Sequence, residues 1–418
     1  MQVKRYVRLL YSIMIKDRVN YSSGAPLEEK NGYSRIVKVG PFIFAGGTTS
    51  VQSDGSVYGE GDSAAQSSYI YQKLIKLMEK AGGCAEDVIA VKRYQTPEYD
   101  IAAARSAYSD IFKKIRPLNT AVTIHSLNRP AQLCEIEMTA VIGSADGKKW
   151  NGINLTRTNY SSGSPLEDVV GYSRMVKIGP FIFAGGTTSV LPDGTVAGEN
   201  CAEAQDEFIY SKQLKLIEQA GGAASDIIMM KRYVTPSYHT DRKSSDPFLH
   251  DRFPDLNPVC TEVPVLRLTR PAQLEEIEMT AVIGCGGDSV RAEWGNFDFR
   301  KELSQPDIVK AGPVLYCAGT TAHRGDGSTM YPDDSVRQES YAMEKVFGKM
   351  QQFGVKPDDI LKVTAYRSPC YKNHKVTEVN DFYASTLKPV KPLYTAVTTE
   401  QLSRDPGVVS QVEMLAII

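Results

Sequence analysis

Hydrophobic and polar positions follow a fixed order of strand-like and helix-like segments that recurs along the chain. The strand segments are short apolar runs bounded by turns such as Asp54-Gly55. The first helical segment has an approximately helical period of apolar residues and is closed by Gly82-Gly83. In the first occurrence the predicted elements are strands at 33–39 and 42–45, a helix, a strand at 88–95, a second helix at 97–115, and strands at 120–124 and 133–141. The order ββαβαββ predicts an α+β unit with one mixed sheet and both helices on one face.

This unit is present three times. The stretch NYSSGAPLEEKNGYSR at 20–35 returns as NYSSGSPLEDVVGYSR at 159–174. Likewise, RPAQLCEIEMTAVIG at 129–143 returns as RPAQLEEIEMTAVIG at 270–284, and a more diverged third version begins at 309–321. The repeat is far longer than a solenoid unit and has the size of a small domain.

We therefore expect three tandem copies, with copy 1 at 1–150, copy 2 at 151–290 and copy 3 at 291–418. A sheet covered by helices on one face leaves its other face in need of a partner. Three such faces packed around a pseudo-threefold axis would bury one another. The sequence thus predicts a single-chain pseudotrimer with its helices outside.

Composition and charge narrow the class of protein. The 418 residues carry 48 Lys and Arg against 49 Asp and Glu, a formal charge of -1. Such a balance gives no positive field to hold a polyphosphate, so nucleic-acid binding is disfavoured. No apolar run reaches the roughly 20 residues that cross a bilayer, and we expect a soluble protein whose partner is a small molecule.

Cysteine and histidine usage points away from metals and disulfides. The seven cysteines are an odd number, widely scattered, without a C-x-x-C pair, which favours a reducing compartment. The five histidines lack metal-ligand spacing, and we expect neither a metal nor a cofactor. A cytoplasmic location is expected, although Lys4, Arg5 and Arg8 before the first acid also fit a mitochondrial presequence, a plain first strand, or a start at Met14.

Several motifs together resemble one known family. They are G-Y-S-R, then G-P-x-x-x-x-G-G-T-T, a helix ending in A-G-G, and a final E-I-E-M. The combination is similar to the RidA/YjgF reactive-intermediate deaminases, also known as L-PSP endoribonucleases. The resemblance covers about 20–143, 159–284 and 300–418, and it is weakest in the third copy. It implies a chorismate-mutase-like fold, clefts between three subunits, and hydrolysis of enamines or imines such as 2-aminoacrylate to ammonia and a keto acid.

The resemblance assigns a first set of cleft residues. The family's ligand-facing tyrosine aligns with Tyr33 and Tyr172. In copy 3 the same position holds Gln305. Its small cleft residue falls on Gly46 and Gly185. Because copy 3 lacks the tyrosine, the three clefts cannot be equivalent.

The family's water-positioning glutamate is placed on the last strand of each copy, at Glu137, Glu278 and Glu413. Side chains alternate along a strand, so Glu135 shares a face with Glu137. An acid of this kind could activate water if burial raised its pKa. Alternatively, the glutamate forms an ion pair across the interface with a lysine or arginine, and the sequence leaves both interpretations open.

The arginine that clamps the substrate carboxylate in this family is missing from every copy, where the position holds Asn119, Cys260 or Tyr394. None of these offers the two charge-assisted hydrogen bonds of a guanidinium. We hypothesise that Arg35 and Arg174 replace it, since each follows a cleft tyrosine by two positions on one strand. The alternative is a solvated strand arginine.

Copy 2 adds further candidates around Thr261, which has Thr120 as its counterpart in copy 1. A threonine hydroxyl could bind a ligand, although Thr also simply favours strands. Cys260 and Glu262 flank Thr261 on one strand face. Cys260 is a candidate thiol nucleophile; the alternative is an inert thiol, as is usual where no electropositive neighbour is identified.

The second helix of copy 2 is interrupted by Pro247 and Pro254. A loop there would roof a cleft and bring His239 or His250 near it.

The favoured function is therefore RidA-like chemistry on a small polar metabolite in the clefts between copies, of the hydrolytic enamine or imine type, with altered specificity. The alternative is a non-catalytic metabolite-binding or scaffold protein, which the absent arginine supports. An endoribonuclease is disfavoured by the near-neutral charge, and Lys92-Arg93 is too small a basic patch for RNA.

Overall fold

The computed structural model describes residues 17–241, 252–253, 255–286, 291–294, 306–324, 326–371 and 379–418. Within this part of the chain, each copy contributes one six-stranded sheet. Copy 1 contains β1 Val19–Tyr21, β2 Ile36–Val39, β3 Phe42–Thr48, β4 Val88–Gln95, β5 Leu118–Thr123 and β6 Cys134–Val141. Between copies 1 and 2 lies a hairpin of β7 Lys149–Trp150 and β8 Ile153–Asn154. Copy 2 contains β9 Arg157–Tyr160, β10 Met175–Ile178, β11 Phe181–Thr187, β12 Ile227–Val234, β13 Val259–Pro264 and β14 Glu275–Val282. Copy 3 contains β15 Arg291–Trp294, β16 Ile308–Ala311, β17 Val314–Thr321, β18 Ile360–Arg367, β19 Leu393–Thr398 and β20 Ser410–Ile417.

The three sheets share one strand order. In copy 1 it is β1-β2-β3-β6-β4-β5, and the other two sheets repeat it. The β4–β5 pair and its two equivalents are parallel, and the remaining neighbours are antiparallel. The sheets are therefore mixed, as the element order predicts. The outer strand β1 was not part of that prediction.

Helices cover the outside of the sheets. They are α1 Pro26–Asn31, α2 Ser63–Lys80, α3 Arg105–Phe112, α4 Pro165–Val170, α5 Ala202–Gln219, α6 Pro236–Asp241 and α7 Ser335–Gln351, with a π-helical turn at Tyr383–Leu387. Asp62 caps α2 by accepting a hydrogen bond from the Ala65 amide at 2.9 Å. No helix among the described residues is long and apolar enough to cross a membrane.

The second helix of copy 1 is shorter than predicted. Its prediction covered 97–115, whereas α3 begins only at Arg105. The Asp100 carboxylate accepts hydrogen bonds from the Ala102 and Ala103 amides and so stabilises a turn before the helix. Local side-chain bonding therefore delays the helix start.

The faces of the sheets that turn away from the helices meet in one apolar cluster. All three copies contribute to it, for example through Phe42, Phe181 and Val314. The Phe42 and Phe181 rings meet edge to face with 5.3 Å between centroids. Burial of this shared surface joins the three sheets.

One hydrogen bond recurs at each junction between copies. The Gly47 amide of copy 1 donates to Thr395 Oγ1 of copy 3 at 3.0 Å. The Gly186 amide of copy 2 donates to Thr120 of copy 1 at 2.9 Å, and the Gly319 amide of copy 3 donates to Thr261 of copy 2 at 2.8 Å. The contacts form a closed ring, and the clefts lie beside it.

Candidate functional site

Two clefts open between neighbouring copies. Cleft A, of about 390 Å³, lies between copies 1 and 3, and cleft B, of about 410 Å³, lies between copies 2 and 1. Each contains a tyrosine, an arginine, a glycine and a glutamate from one copy. In cleft A these are Tyr33, Arg35, Gly47 and Glu135, facing Arg367 and Tyr394. In cleft B they are Tyr172, Arg174, Gly186 and Glu276, facing Arg93 and Asn119.

The cleft arginine is fully engaged within its own copy. In cleft A the Arg35 guanidinium pairs with Glu28 at 2.9 Å and donates to the Gly47 carbonyl at 2.5 Å and to Tyr33 Oη at 3.3 Å. Glu28 lies on α1, the short helix that begins at a proline. The arginine therefore fixes the tyrosine and the glycine segment. Its compensated charge argues against the anion clamp, and its burial contradicts the solvated alternative.

Cleft B repeats this arrangement. Arg174 pairs with Glu167 at 3.2 Å, donates to Tyr172 Oη at 3.1 Å and bonds the Gly186 carbonyl. The clamp expected at Arg174 is therefore disfavoured for the same reason: the guanidinium already has a buried carboxylate partner.

The glutamate inside each cleft is not the one that the sequence assignment chose. Glu135 and Glu276 are each 6% exposed and line clefts A and B. Burial raises the pKa of Glu135 to about 8, and the neighbouring Glu137 charge adds to the effect. For Glu276 the same two causes, with Glu278 as the neighbour, raise the pKa to about 8. Both carboxyl groups are therefore largely protonated at neutral pH.

The second glycine of each G-G pair lies directly against the carboxyl group of the cleft glutamate. A Cβ built on Gly47 would collide with the Glu135 carboxylate, and one on Gly186 would collide with that of Glu276. The second glycine of the G-G pair therefore makes room for the acid. The first glycines, Gly46 and Gly185, instead approach leucines of the neighbouring copy.

The glutamates predicted to be catalytic lie elsewhere. Glu137, Glu278 and Glu413 line an axial cavity of about 180 Å³ together with Lys92, Lys231 and Lys362. Each glutamate forms an ion pair with a lysine of another copy: Lys362–Glu137 at 2.7 Å, Lys92–Glu278 at 2.6 Å, and Lys231–Glu413. The structure thus shows the interface ion pair that the sequence left open as the alternative.

The charges of the axial cavity make these acids poor proton donors. Burial alone would raise the pKa of Glu137, but the Lys362 and Lys92 ammonium groups outweigh it and lower that pKa to about 2. Nearby lysines likewise outweigh burial and lower the pKa of Glu278 and of Glu413. The three remain ionised at neutral pH.

The threonines and backbone amides serve the junctions between copies. The hydroxyls of Thr120 and Thr261 accept the glycine amides described above. Their counterpart Thr395 also donates to Glu137 Oε1 at 2.6 Å. The Gly47 and Gly186 amides are therefore already occupied by threonine hydroxyls.

The three residues that replace the family's arginine have different surroundings. Asn119 lines cleft B, and its Oδ1 is buried without a hydrogen-bond partner in the described part of the chain. Tyr394 lines cleft A and donates to Glu339 at 3.0 Å. Cys260 is 7% exposed within the apolar core of copy 2, which argues against a thiol nucleophile. Glu262 lies 3.4 Å from Arg232.

The junction between copies 3 and 2 has lost the cleft pattern. Asp307 stands where copy 1 has Arg35, and it pairs with Lys349 at 3.0 Å. Gln411 stands where copy 1 has Glu135.

Several predicted features lie outside the described residues: Gln305, Pro247, Pro254, His250 and the side chain of His239. Among the described residues, no group of three or more His, Cys, Asp or Glu side chains is arranged to hold a metal ion.

Comparison with known proteins gives one consistent family. The family model "Endoribonuclease L-PSP" matches residues 24–142 and 298–418, more than half of the chain. A RutC family protein of Pyrococcus abyssi is 29% identical over 109 residues, covering 26% of this chain and 84% of its own. A solved YjgF-family structure from Mycobacterium tuberculosis is 30% identical, covering 30% of this chain and all of its own, with a TM-score of 0.27. A chorismatase structure, 14% identical with a TM-score of 0.50, covers 79% of this chain and 93% of its own and shares the fold alone.

Proposed function

Because the chain belongs to the L-PSP family, to which the RidA and YjgF proteins also belong, we propose that it hydrolyses small enamine- or imine-type metabolites in clefts A and B. In this proposal the three copies at 1–150, 151–290 and 291–418 form a single-chain pseudotrimer. Only two of its three junctions retain a complete set of cleft residues. The junction between copies 3 and 2 serves assembly.

One observation carries the proposal: a buried carboxyl with a pKa of about 8 lies in each cleft, beside a tyrosine and opposite a neighbouring copy. A group of this pKa exchanges protons readily near neutral pH. The carboxylates of the axial cavity, such as Glu137, are held ionised by lysines instead. Glu135 and Glu276 therefore have the protonation behaviour of an acid–base group.

In the proposed reaction the cleft carboxyl acts twice, first as an acid and then as a base. The protonated carboxyl of Glu135 or Glu276 protonates the enamine carbon, which gives an iminium ion. The resulting carboxylate accepts a proton from the water that attacks the iminium carbon. The carbinolamine expels ammonia, and the products are a carbonyl compound, ammonia and the protonated enzyme. Tyr33 or Tyr172 accepts a hydrogen bond from its neighbouring arginine and forms one wall of the ligand site.

The test is ammonia release from enamines and imines generated in situ, with small and bulky side chains. We expect turnover by the wild type and a loss of at least about 100-fold in the E135Q/E276Q double variant. The substitution E79Q, at an exposed helix residue, is the matched control and should leave turnover unchanged. A folded wild-type protein without turnover of any of these substrates would overturn the hydrolytic proposal in favour of a metabolite-binding role.

A further inference from the structure

An arginine lies at each junction between copies, on the strand that precedes the missing clamp. Arg93 and Arg232 occupy equivalent positions on β4 and β12, and Arg367 is two residues further along β18. All three are buried or nearly so. They differ in whether their charge is compensated.

Two of the three guanidinium groups have carboxylate partners. Arg367 forms two hydrogen bonds with Glu339, at 2.7 and 2.9 Å. Arg232 pairs with Glu275 and lies 3.4 Å from Glu262, with Asp206 at 3.9 Å. Such pairs neutralise the arginine and leave little attraction for a further anion.

Arg93 lacks such acidic partners, because the residues at the equivalent positions differ between the copies. Copy 1 carries Ser67 where copy 2 has Asp206, and Cys134 where copy 2 has Glu275. The Arg93 Nε donates to Gln95 at 3.0 Å, and the guanidinium lies 4.8 Å from the Tyr99 ring centroid. No acidic side chain pairs with Arg93 in the described ranges, although only 7% of the residue is exposed. A buried cation without a counter-ion is costly, which an anionic ligand would offset.

The lining of the two clefts shows the same contrast. Cleft B is lined by five cationic residues, namely Arg93, Arg105, Arg174, Lys212 and Arg270, and by one acid, Glu276, which is largely protonated. Cleft A is lined by four cationic residues and by three acids, Asp54, Glu135 and Glu339, of which Glu135 is largely protonated like Glu276. The ionised Asp54 and Glu339 have no counterpart in the lining of cleft B, which is therefore the more positive of the two.

We propose that the two clefts sort ligands by charge: cleft B binds a carboxylate-bearing ligand on Arg93, and cleft A takes ligands without net negative charge. The unpartnered Oδ1 of Asn119 lies in the same cleft and would accept a hydrogen bond from an N–H or O–H group elsewhere on the ligand, not from its carboxylate. Apolar side chains such as Ile101 and Leu166 line the rest of cleft B and suit a hydrocarbon or aromatic body. This inference deepens the proposed function and rests on its clefts, but it concerns binding and not turnover.

The experiment compares benzoate with its uncharged ester, methyl benzoate, by calorimetric titration of the full chain. We expect benzoate to bind with one site per chain, at least about tenfold more tightly than the ester. The variant S67D introduces the acid that copy 2 carries, and it should remove most of this preference. The isosteric but uncharged S67N is the matched control and should retain it.

Arg93 itself is tested by R93Q, which should weaken benzoate binding about tenfold or more and leave the ester unaffected. R93K, which keeps the charge, should bind benzoate more tightly than R93Q. Equal affinity of the wild type for benzoate and ester, or benzoate binding unaltered in folded S67D and R93Q, would overturn the proposal. Because E276Q should abolish turnover in cleft B without abolishing benzoate binding, failure of this inference is distinguishable from failure of the hydrolytic function.

Discussion

Glu135 and Glu137 are two residues apart on one strand face, yet the first lies in cleft A and the second in the axial cavity. Their pKa values are about 8 and about 2. Glu135 is buried beside another acid, with Arg35 already neutralised by Glu28. Glu137 is equally buried but pairs with a lysine of another copy. The comparison teaches that the placement of cations, more than burial or residue type, decides which acid can exchange a proton.

The largest expected effect comes from removing the cation on the axial side. K362M would leave the Glu137 carboxylate buried without its ion-pair partner, and we expect a loss of about 3–5 kcal/mol in unfolding free energy. E135Q should not lower it at pH 7 and should raise it by up to about 3 kcal/mol, because the glutamine replaces a carboxyl that folding must protonate at that pH. Urea unfolding at pH 7 measures both. Similar losses for the two variants would show that the two acids do not differ as described.

The pH dependence of stability tests the same comparison. A raised pKa means that the folded state retains a proton that the unfolded state releases above about pH 4.5. Glu135 and Glu276 therefore give full stability below that pH, and their contribution declines as pH rises towards 8. E135Q/E276Q should abolish this decline, which melting temperatures from pH 5 to 8 will show.

Glu137 should change the pH dependence of stability in the opposite direction. Its lowered pKa contributes stability that is present above about pH 4.5 and is lost as pH falls towards 2. The double cleft variant should therefore retain the acid-side loss. If it lost the acid-side transition and kept the decline above pH 5, the assignment of the two acids would be reversed.

The smallest effect concerns the glycine beneath the cleft acid. G186A would force the Glu276 carboxylate to move, and we expect a destabilisation of about 1–3 kcal/mol together with reduced turnover. G348A is the matched control, since Gly348 lies on α7 and an added Cβ would meet no neighbouring atom within 4 Å. There a Cβ should stabilise the helix by roughly 0.5–1 kcal/mol. Equal effects of the two substitutions would argue against the close approach of Glu276 to Gly186.

Sequence patterns predicted the order of the main elements in each unit, because that order follows from local periodicity and from near-identical repeats; the strand order within the sheet was not predicted. They failed to choose between Glu135 and Glu137, because alternation places both on one face and gives no information about which end of the strand lies at the axis. The role of Arg35 was also missed. Its partner Glu28 lies on α1, a short helix before the first predicted strand.

Sequence patterns also did not predict which of the arginines at the junctions pair with an acid. Ser67, Asp206 and Glu339 are visible as substitutions in an aligned helix, but their meaning depends on which arginine they meet in three dimensions. That proximity is set by the packing of a helix on a sheet, which periodicity alone does not specify. The absence of acidic partners around Arg93 therefore depends on how the helix and the strand pack together, and the sequence alone does not reveal it.

The closed ring of glycine–threonine hydrogen bonds has a consequence for how the protein can evolve. In an assembly of three identical chains, every substitution is present at all three junctions at once, so a change that improves one cleft alters the others equally. Here each junction is encoded by its own stretch of a single chain, while the ring keeps the three in a fixed order. A mutation can therefore adapt one cleft while another keeps its old ligand and a third serves only to hold the ring together.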